Sequence, residues 1–297
     1  MSAEKIAGSF STFINHCANT FVSLIKVVLK SKRGSTFPIA NTSSCIVLGN
    51  GPSLKTSLEK YPDFFTKHSL ICVNSFSITE EYTTLKPTYY VILDPGFWYG
   101  DSDVVTNTID SLIKKTTWTV YLLVPHLAKQ SPKFRELNKH NLNIKINYFN
   151  YTVYKGFRSI GYKLYKSNIA MIQSQNVLVG SLFLALNIGF KEIYLFGADH
   201  TWHETLYVND ENIVCLKHLH FYDGKEKPDY RPFYKGIHLK ETFNMYEVFT
   251  TFAKIFYGYM QINEYAKFRN AKIYNASEVS YIDAFERIKI STTNYES

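Results

Sequence analysis

Strands and helices are expected to alternate along this chain, giving an α/β protein whose mostly parallel sheet carries helices on both faces. Two patterns support that expectation. Short apolar runs recur at 44–48, 69–73, 88–93, 117–124, 144–149 and 192–196, with a late one at 271–274. Stretches of helical or polar character separate them, among them Asp101 to Lys115 and Leu127 to Lys139. Glu241 to Phe268 is the longest helical pattern. With 297 residues, 45% of them hydrophobic, the chain is long enough to bury a sizeable core.

Ahead of this alternation, Phe13 to Leu29 has apolar residues at 13, 14, 17, 21, 24, 25 and 28, the spacing of one helical face. Asn15, His16, Asn19, Ser23 and Lys26 interrupt it, which makes a poor transmembrane span. Lys26, Lys30, Lys32 and Arg33 crowd its end. Residues 13–33 therefore read either as a peripheral membrane contact beside anionic lipid or as a helix packed on the body or on a second subunit of a homo-oligomer. Residues 1–43 are taken as this helix and a linker, and 44–297 as one catalytic domain with a lid insertion at about 200–240. Met1 to Phe10 lacks the apolar core of a signal peptide, so a cytoplasmic location is expected, at the inner face of the membrane.

The formal charge of +8 points to acidic partners, namely phosphate-bearing substrates, anionic membranes or nucleic acid. No basic run of five residues, zinc-finger spacing or RNA-binding signature occurs, so nucleic acid is not expected as a partner. The four cysteines, 17, 45, 72 and 215, show no C-x-x-C spacing, and Cys45 and Cys72 fall in strands as buried hydrophobes of a reducing compartment.

Ligands of open parallel sheets sit beyond the carboxyl ends of the strands. The first strand runs into Gly49-Asn50-Gly51-Pro52-Ser53, a strand-to-helix turn whose glycines permit close approach and whose helix start suits a phosphate. It is neither a P-loop nor the dinucleotide fingerprint, because no Gly-Lys-Ser follows and Leu54 replaces the third glycine. Asn74 follows the second strand, Asp94 the third, and Gly197-Ala198-Asp199-His200 the sixth. Four polar strand ends together favour a polar small-molecule site, although each residue alone also reads as a turn former or cap. Asp94 and Asp199 have no further acidic neighbour, so no metal ligand is assigned. Gly180 and Ser181 are expected to open a compact apolar helix whose first amides face an anion.

Residues 200–240 carry His200, His203, His218, His220 and His238 without a familiar metal-ligand spacing. A histidine acting as general base is the better reading, with Arg231, Tyr234 and Lys235 making the segment a basic lid over phosphate.

The ordered islands GNGPSL, CVNSF, ILDPGFW and GSLFLALNIGFKEIYLFGAD resemble the bacterial sialyltransferases of glycosyltransferase family 42. They also resemble the MptE-like and Maf-type proteins, and GFKEIYLFGAD followed by AKIYNASEVSYIDAFERI is especially similar to the MptE-like group. The likeness implies a Rossmann-like nucleotide-sugar fold with a lid and, in the sialyltransferase branch, no catalytic metal. It places Gly49, Asn50, Gly51, Pro52, Ser53 and Asn74 at the nucleotide, with Gly180 and Ser181 near the donor. Asp94, which stands where the sialyltransferases carry an Asn, is also expected at the donor, as are Asp199 and Asn275 of the islands that carry the likeness. His238 falls where their lid histidine lies, with His220 as its rival.

These residues lead to three readings. The favoured one is a glycosyltransferase moving sugar from a nucleotide donor, in the manner of CMP-sialic acid, to a glycan or glycolipid acceptor for surface polysaccharide. It needs no cofactor. The second is a Mg²⁺-dependent diphosphotransferase with Asp94 and Asp199 at the metal, and the third a non-catalytic nucleotide-sugar-binding or scaffold protein.

Overall fold

The structure is a computed structural model that describes residues 3–33, 36–217, 221, 230–236 and 240–290, with side chains from residue 9 onward. Helix α1 (Ala3–Lys30) precedes β1 (Ser44–Leu48), and α2 (Ser53–Lys60) and α3 (Pro62–Thr66) lead to β2 (Ser69–Val73). Then come α4 (Glu81–Leu85), β3 (Tyr89–Val91), α5 (Gly96–Tyr99), α6 (Asp103–Lys115) and β4 (Val120–Pro125). They are followed by α7 (Pro132–His140), β5 (Ile144–Phe149), α8 (Arg158–Lys166), α9 (Val177–Ile188) and β6 (Glu192–Phe196). Three short strands, β7 (Leu206–Val208), β8 (Val214–Leu216) and β9 (Arg231–Pro232), precede α10 (Met245–Phe268), β10 (Lys272–Asn275) and β11 (Glu286–Arg287).

The main sheet has the order β11-β10-β6-β1-β2-β3-β4-β5, and every neighbouring pair is parallel. The chain builds outward from β1 to β5, then crosses back through α9 to lay β6 on the other side of β1. The strand order therefore reverses between β1 and β6, where open α/β sheets form their crevice. Leu48 pairs with Phe196, so Gly49 and Gly197 leave the sheet side by side.

Both faces of the sheet are covered, which is why its strands read as unbroken apolar runs. Cys45, Val47, Ile71 and Val73 join one core with α9 and α10, while Ile46, Leu48, Leu70 and Cys72 join the other with residues of α2, α3, α6 and α7. Helix α9 is apolar nearly all round because it is buried nearly all round, from Leu178 to Leu186. Asn244 begins α10 with a reciprocal cap: its side chain accepts from Glu247 N–H and Glu247 accepts from Asn244 N–H.

One expectation needs correction. The helix expected to open at Gly180 begins at Val177, three residues earlier, because Asn176 supplies the N-cap. Residues 206–232 include a three-stranded antiparallel sheet, β7-β8-β9, built from strands too short to show a periodic pattern.

Helix α1 is fixed to the body by polar contacts. The Ser23 hydroxyl accepts from Lys155 N–H at 2.9 Å, and the Thr20 hydroxyl from Phe157 N–H at 3.1 Å. Just past its end, Asn150 accepts from Lys32 N–H and donates to the Lys32 carbonyl, each at 2.7 Å.

Candidate functional site

A cleft of about 680 Å³ opens over the carboxyl ends of β1, β2 and β3. Asn50 and Asn74 form its floor with Asp94 at one edge, and Asp199 and His200 continue from β6. Val177 and Leu178 bring in the first turn of α9, while Phe252 and Ile255 of α10 and Trp202 form an apolar wall. Leu216 of β8, with Lys217, Phe233 and Lys235 beside the small sheet, completes the lining.

The Gly-Asn-Gly-Pro-Ser turn has a job inside the protein. Gly49 N–H donates to Phe196 O at 2.8 Å and Gly51 N–H to Gly197 O at 2.9 Å. A Cβ on Gly49 would fall on the Gly197 carbonyl, and one on Gly51 would lie 2.5 Å from Asp199 Oδ1. The glycines are therefore required by the approach of two turns at the switch point of the sheet. The start of α2, expected to hold a phosphate, already holds an anion. Ser53 donates its N–H to Asp199 Oδ2 at 2.9 Å and its hydroxyl to Oδ1 at 2.5 Å. Burial raises the Asp199 carboxyl above its ordinary range, and the two Ser53 bonds pull it back.

Between these turns, the amides that face the cleft are incompletely bonded. Asn50 Nδ2 donates to Val73 O at 3.3 Å, but Asn50 Oδ1 is buried without a partner among the described residues. Asn74 Oδ1 is buried without one as well, on a residue held at φ 46°. Buried acceptors of this kind are costly unless a ligand or water donates to them.

The first turn of α9 supplies the opposite chemistry. Asn176 Oδ1 accepts from Val179 N–H at 2.9 Å, and Val177 and Leu178 line the cleft ahead of it at the positive end of a twelve-residue helix. Asn176 Nδ2 in turn donates to Tyr259 Oη at 3.0 Å and lies 3.1 Å from His200 Nε2. The Tyr259 hydroxyl is 2.7 Å from that nitrogen, so the network is satisfied when Nε2 accepts and Nδ1 carries the proton. Burial pulls the His200 imidazole down to about 3, and it stacks on Trp202 at 4.2 Å between ring centres. It is a neutral positioning group, its Nε2 committed to Tyr259.

Other residues singled out in the sequence fall elsewhere. Gly180 and Ser181 are buried in α9 behind residues that line the cleft: Gly180 packs on Leu93, and the Ser181 hydroxyl donates to Val177 O. Asn275 spends its amide on Ser280, Ile282 and Ser277, fastening the loop after β10. Of Arg231, Tyr234 and Lys235, Lys235 lines the cleft, and Glu241 and Glu247 hold it at 2.5 and 2.7 Å. Arg231 and Tyr234 are exposed outside it. Asp94 is exposed and accepts from Gly96 N–H at 2.8 Å. His203 lies against Tyr281 and Tyr207 against Tyr230. His218, His220 and His238 lie outside the described residues. No group of three or more metal-ligating side chains occurs among the described residues.

Sequence reading passed over Asn176, Lys217 and the α10 residues Phe252 and Ile255. Asn176 carried a usable signal, an Asn directly before the apolar run of α9. Phe252 and Ile255 carried none, since an apolar helix face reads as core whether or not it walls a cleft.

An α/β fold with a cleft at its strand ends is thus common ground for many ligand-binding proteins, and the sequence narrows it. A family model described as "6-hydroxymethylpterin diphosphokinase MptE-like" matches residues 12–205, and the chain belongs to the MptE-like family. The match runs from residue 12, inside α1, to Thr205 and ends before the small sheet and α10. A solved Maf glycosyltransferase from Magnetospirillum magneticum AMB-1 aligns with 92% of this chain at 13% identity and a TM-score of 0.48. The chain spans 38% of that protein's length. No curated protein matches the chain in sequence.

Proposed function

We propose that the cleft binds a nucleotide-activated sugar and that the chain is a glycosyltransferase. The observation that carries this reading is the pairing of chemistries in one cleft. Asn50 and Asn74 offer two unpartnered amide oxygens suited to base amino groups or ribose hydroxyls. The α9 N-terminus, with Lys217 lining the same cleft, suits a phosphate. In the reaction proposed, an acceptor hydroxyl of a glycan or glycolipid attacks the anomeric carbon. The bond from that carbon to the phosphate oxygen breaks, and the nucleotide leaves carrying the electron pair. The hydroxyl proton passes to His238 or His220 of the 200–240 segment. A CMP-linked sugar is the first donor to test.

Family membership favours a second reading, transfer of diphosphate to a pterin-like alcohol. A Mg²⁺ ion for that reaction would draw on Asp94 and Asp199, which both line the cleft. Both oxygens of Asp199 are engaged by Ser53, its ionised form is penalised by burial, and Asp94 accepts from Gly96. This donor set does not fit a resident metal site.

A thermal-shift titration with CMP, UDP, GDP, ADP and ATP, with and without Mg²⁺, separates the readings. Saturation at a hundred times Kd stabilises by about 2.7 kcal/mol. Metal-independent stabilisation by CMP or UDP, weakened about tenfold in Asn50→Ala, is the expected result. Stabilisation only by ATP with Mg²⁺ moves the assignment to diphosphate transfer, and silence toward every nucleotide overturns both.

A further inference from the structure

We infer that α1 is an interfacial helix that seats the protein on an anionic membrane surface with its long axis in the membrane plane. The helix is inside out for a surface helix of a globular protein. Its inward face is small and polar: Thr20 and Ser23 are buried, and with Val27 they recur one to two turns apart. Its outward face is large and apolar. Phe10, Ile14, Phe21, Ile25, Val28 and Leu29 share one side at helical spacing, and Phe21, Val28 and Leu29 are 67%, 81% and 75% exposed. A continuous apolar strip of this kind marks a surface that meets lipid or another protein.

Charge decides between these occupants. Lys26 and Lys30 lie on the flank between the apolar strip and the body, and Lys32 and Arg33 follow at the end of the helix, so four cations border the strip. Asp and Glu are absent from Ser9 to Arg33. Lysines flanking an apolar face reach the headgroup layer while the rings enter the acyl boundary. A second copy of the same face would bring these cations together without a counter-charge, which disfavours a symmetric dimer through this face.

Ser9–Lys30 is also long and apolar enough, at a mean hydropathy of 1.3, to cross a bilayer. Its bonds to the body argue for lying flat. Thr20 and Ser23 accept main-chain N–H groups from residues 157 and 155, Val27 packs into the core, and the Phe13 and His16 rings lie tilted against Phe157. A crossing helix would surrender all of these and carry His16, Asn19 and Lys26 into hydrocarbon.

The test is co-sedimentation of the full chain with phosphatidylcholine vesicles, with and without phosphatidylglycerol. Binding is expected only with the anionic lipid and is expected to weaken with added salt. Phe21→Asp with Ile25→Asp removes it, with the melting temperature retained because both side chains face outward. Lys26→Glu with Lys30→Glu weakens it by about tenfold or more, each cation near such a surface contributing about fivefold. Three results would overturn the proposal: no binding to either vesicle, binding that ignores lipid charge and salt, or a dimer in gel filtration that the Phe21 and Ile25 substitutions split into monomers.

Discussion

Ser53 grips both carboxylate oxygens of Asp199, one through its main chain and one through its hydroxyl, across 146 positions of sequence. This bond joins the turn after β1 to the turn after β6 at the point where the strand order reverses. It fills with an internal anion a helix start that would otherwise attract an external one. On the proposed reading, the phosphate of the ligand is left the other helix start on the cleft, that of α9.

Ser53→Ala is expected to cost about 2 kcal/mol, the range for hydrogen bonds to a buried charged acceptor. Urea unfolding should report it as a lower midpoint at unchanged slope.

Two glycine substitutions separate crowding from backbone strain. Gly51→Ala places a methyl group 2.5 Å from Asp199 Oδ1 and 2.6 Å from Gly197 O, at an expected cost of about 3 kcal/mol. Gly189→Ala has open space but a φ of 119°, and should cost only about 1 kcal/mol. Thermal melts of the two variants should keep that order.

His200 makes stability depend on pH. Unfolded, the imidazole takes a proton near its ordinary 6.5, whereas folded it resists protonation down to about 3. Protons therefore favour the unfolded chain, and stability falls as pH drops through 6.5. The loss from this group between pH 7 and pH 5 is about 2 kcal/mol. His200→Asn keeps a residue type tolerant of the positive φ of 57° and should flatten that part of the profile.

Asn176→Ala removes the cap of α9 and a donor shared by Tyr259 and His200. The expected loss is about 2 kcal/mol. Because the cap lines the cleft where the proposed function places the phosphate, nucleotide affinity should fall as well. Unchanged affinity in a destabilised variant would separate the cap from the site.

Four of the parallel strands were readable to the residue, since 44–48, 69–73, 144–149 and 192–196 are β1, β2, β5 and β6, whereas β3, β4 and β10 run 89–91, 120–125 and 272–275 against the expected 88–93, 117–124 and 271–274. Continuous apolar runs between turn residues leave few alternatives. The site was readable in part. Asn50, Asn74, Asp94 and Asp199 were placed at strand ends by topology alone, and all four line the cleft. The partnership of Ser53 with Asp199 was not readable, since nothing local to either residue encodes a bond between two distant turns. Gly180 and Ser181 misled because small residues serve equally at a helix start and at a tight helix–strand contact, here against Leu93. The small sheet escaped because strands of two or three residues show no alternation.

The clamp by which Asn150 holds both main-chain polar groups of Lys32 bears on how the protein should be handled. Trimming the greasy N-terminal segment to ease purification would take from that amide its two bonds to Lys32, strip the Lys155 and Phe157 N–H groups of their acceptors, and uncover the core where Val27 packs. Repainting the outward side chains of the helix with polar ones, while leaving its backbone in place, is the gentler route to a well-behaved sample.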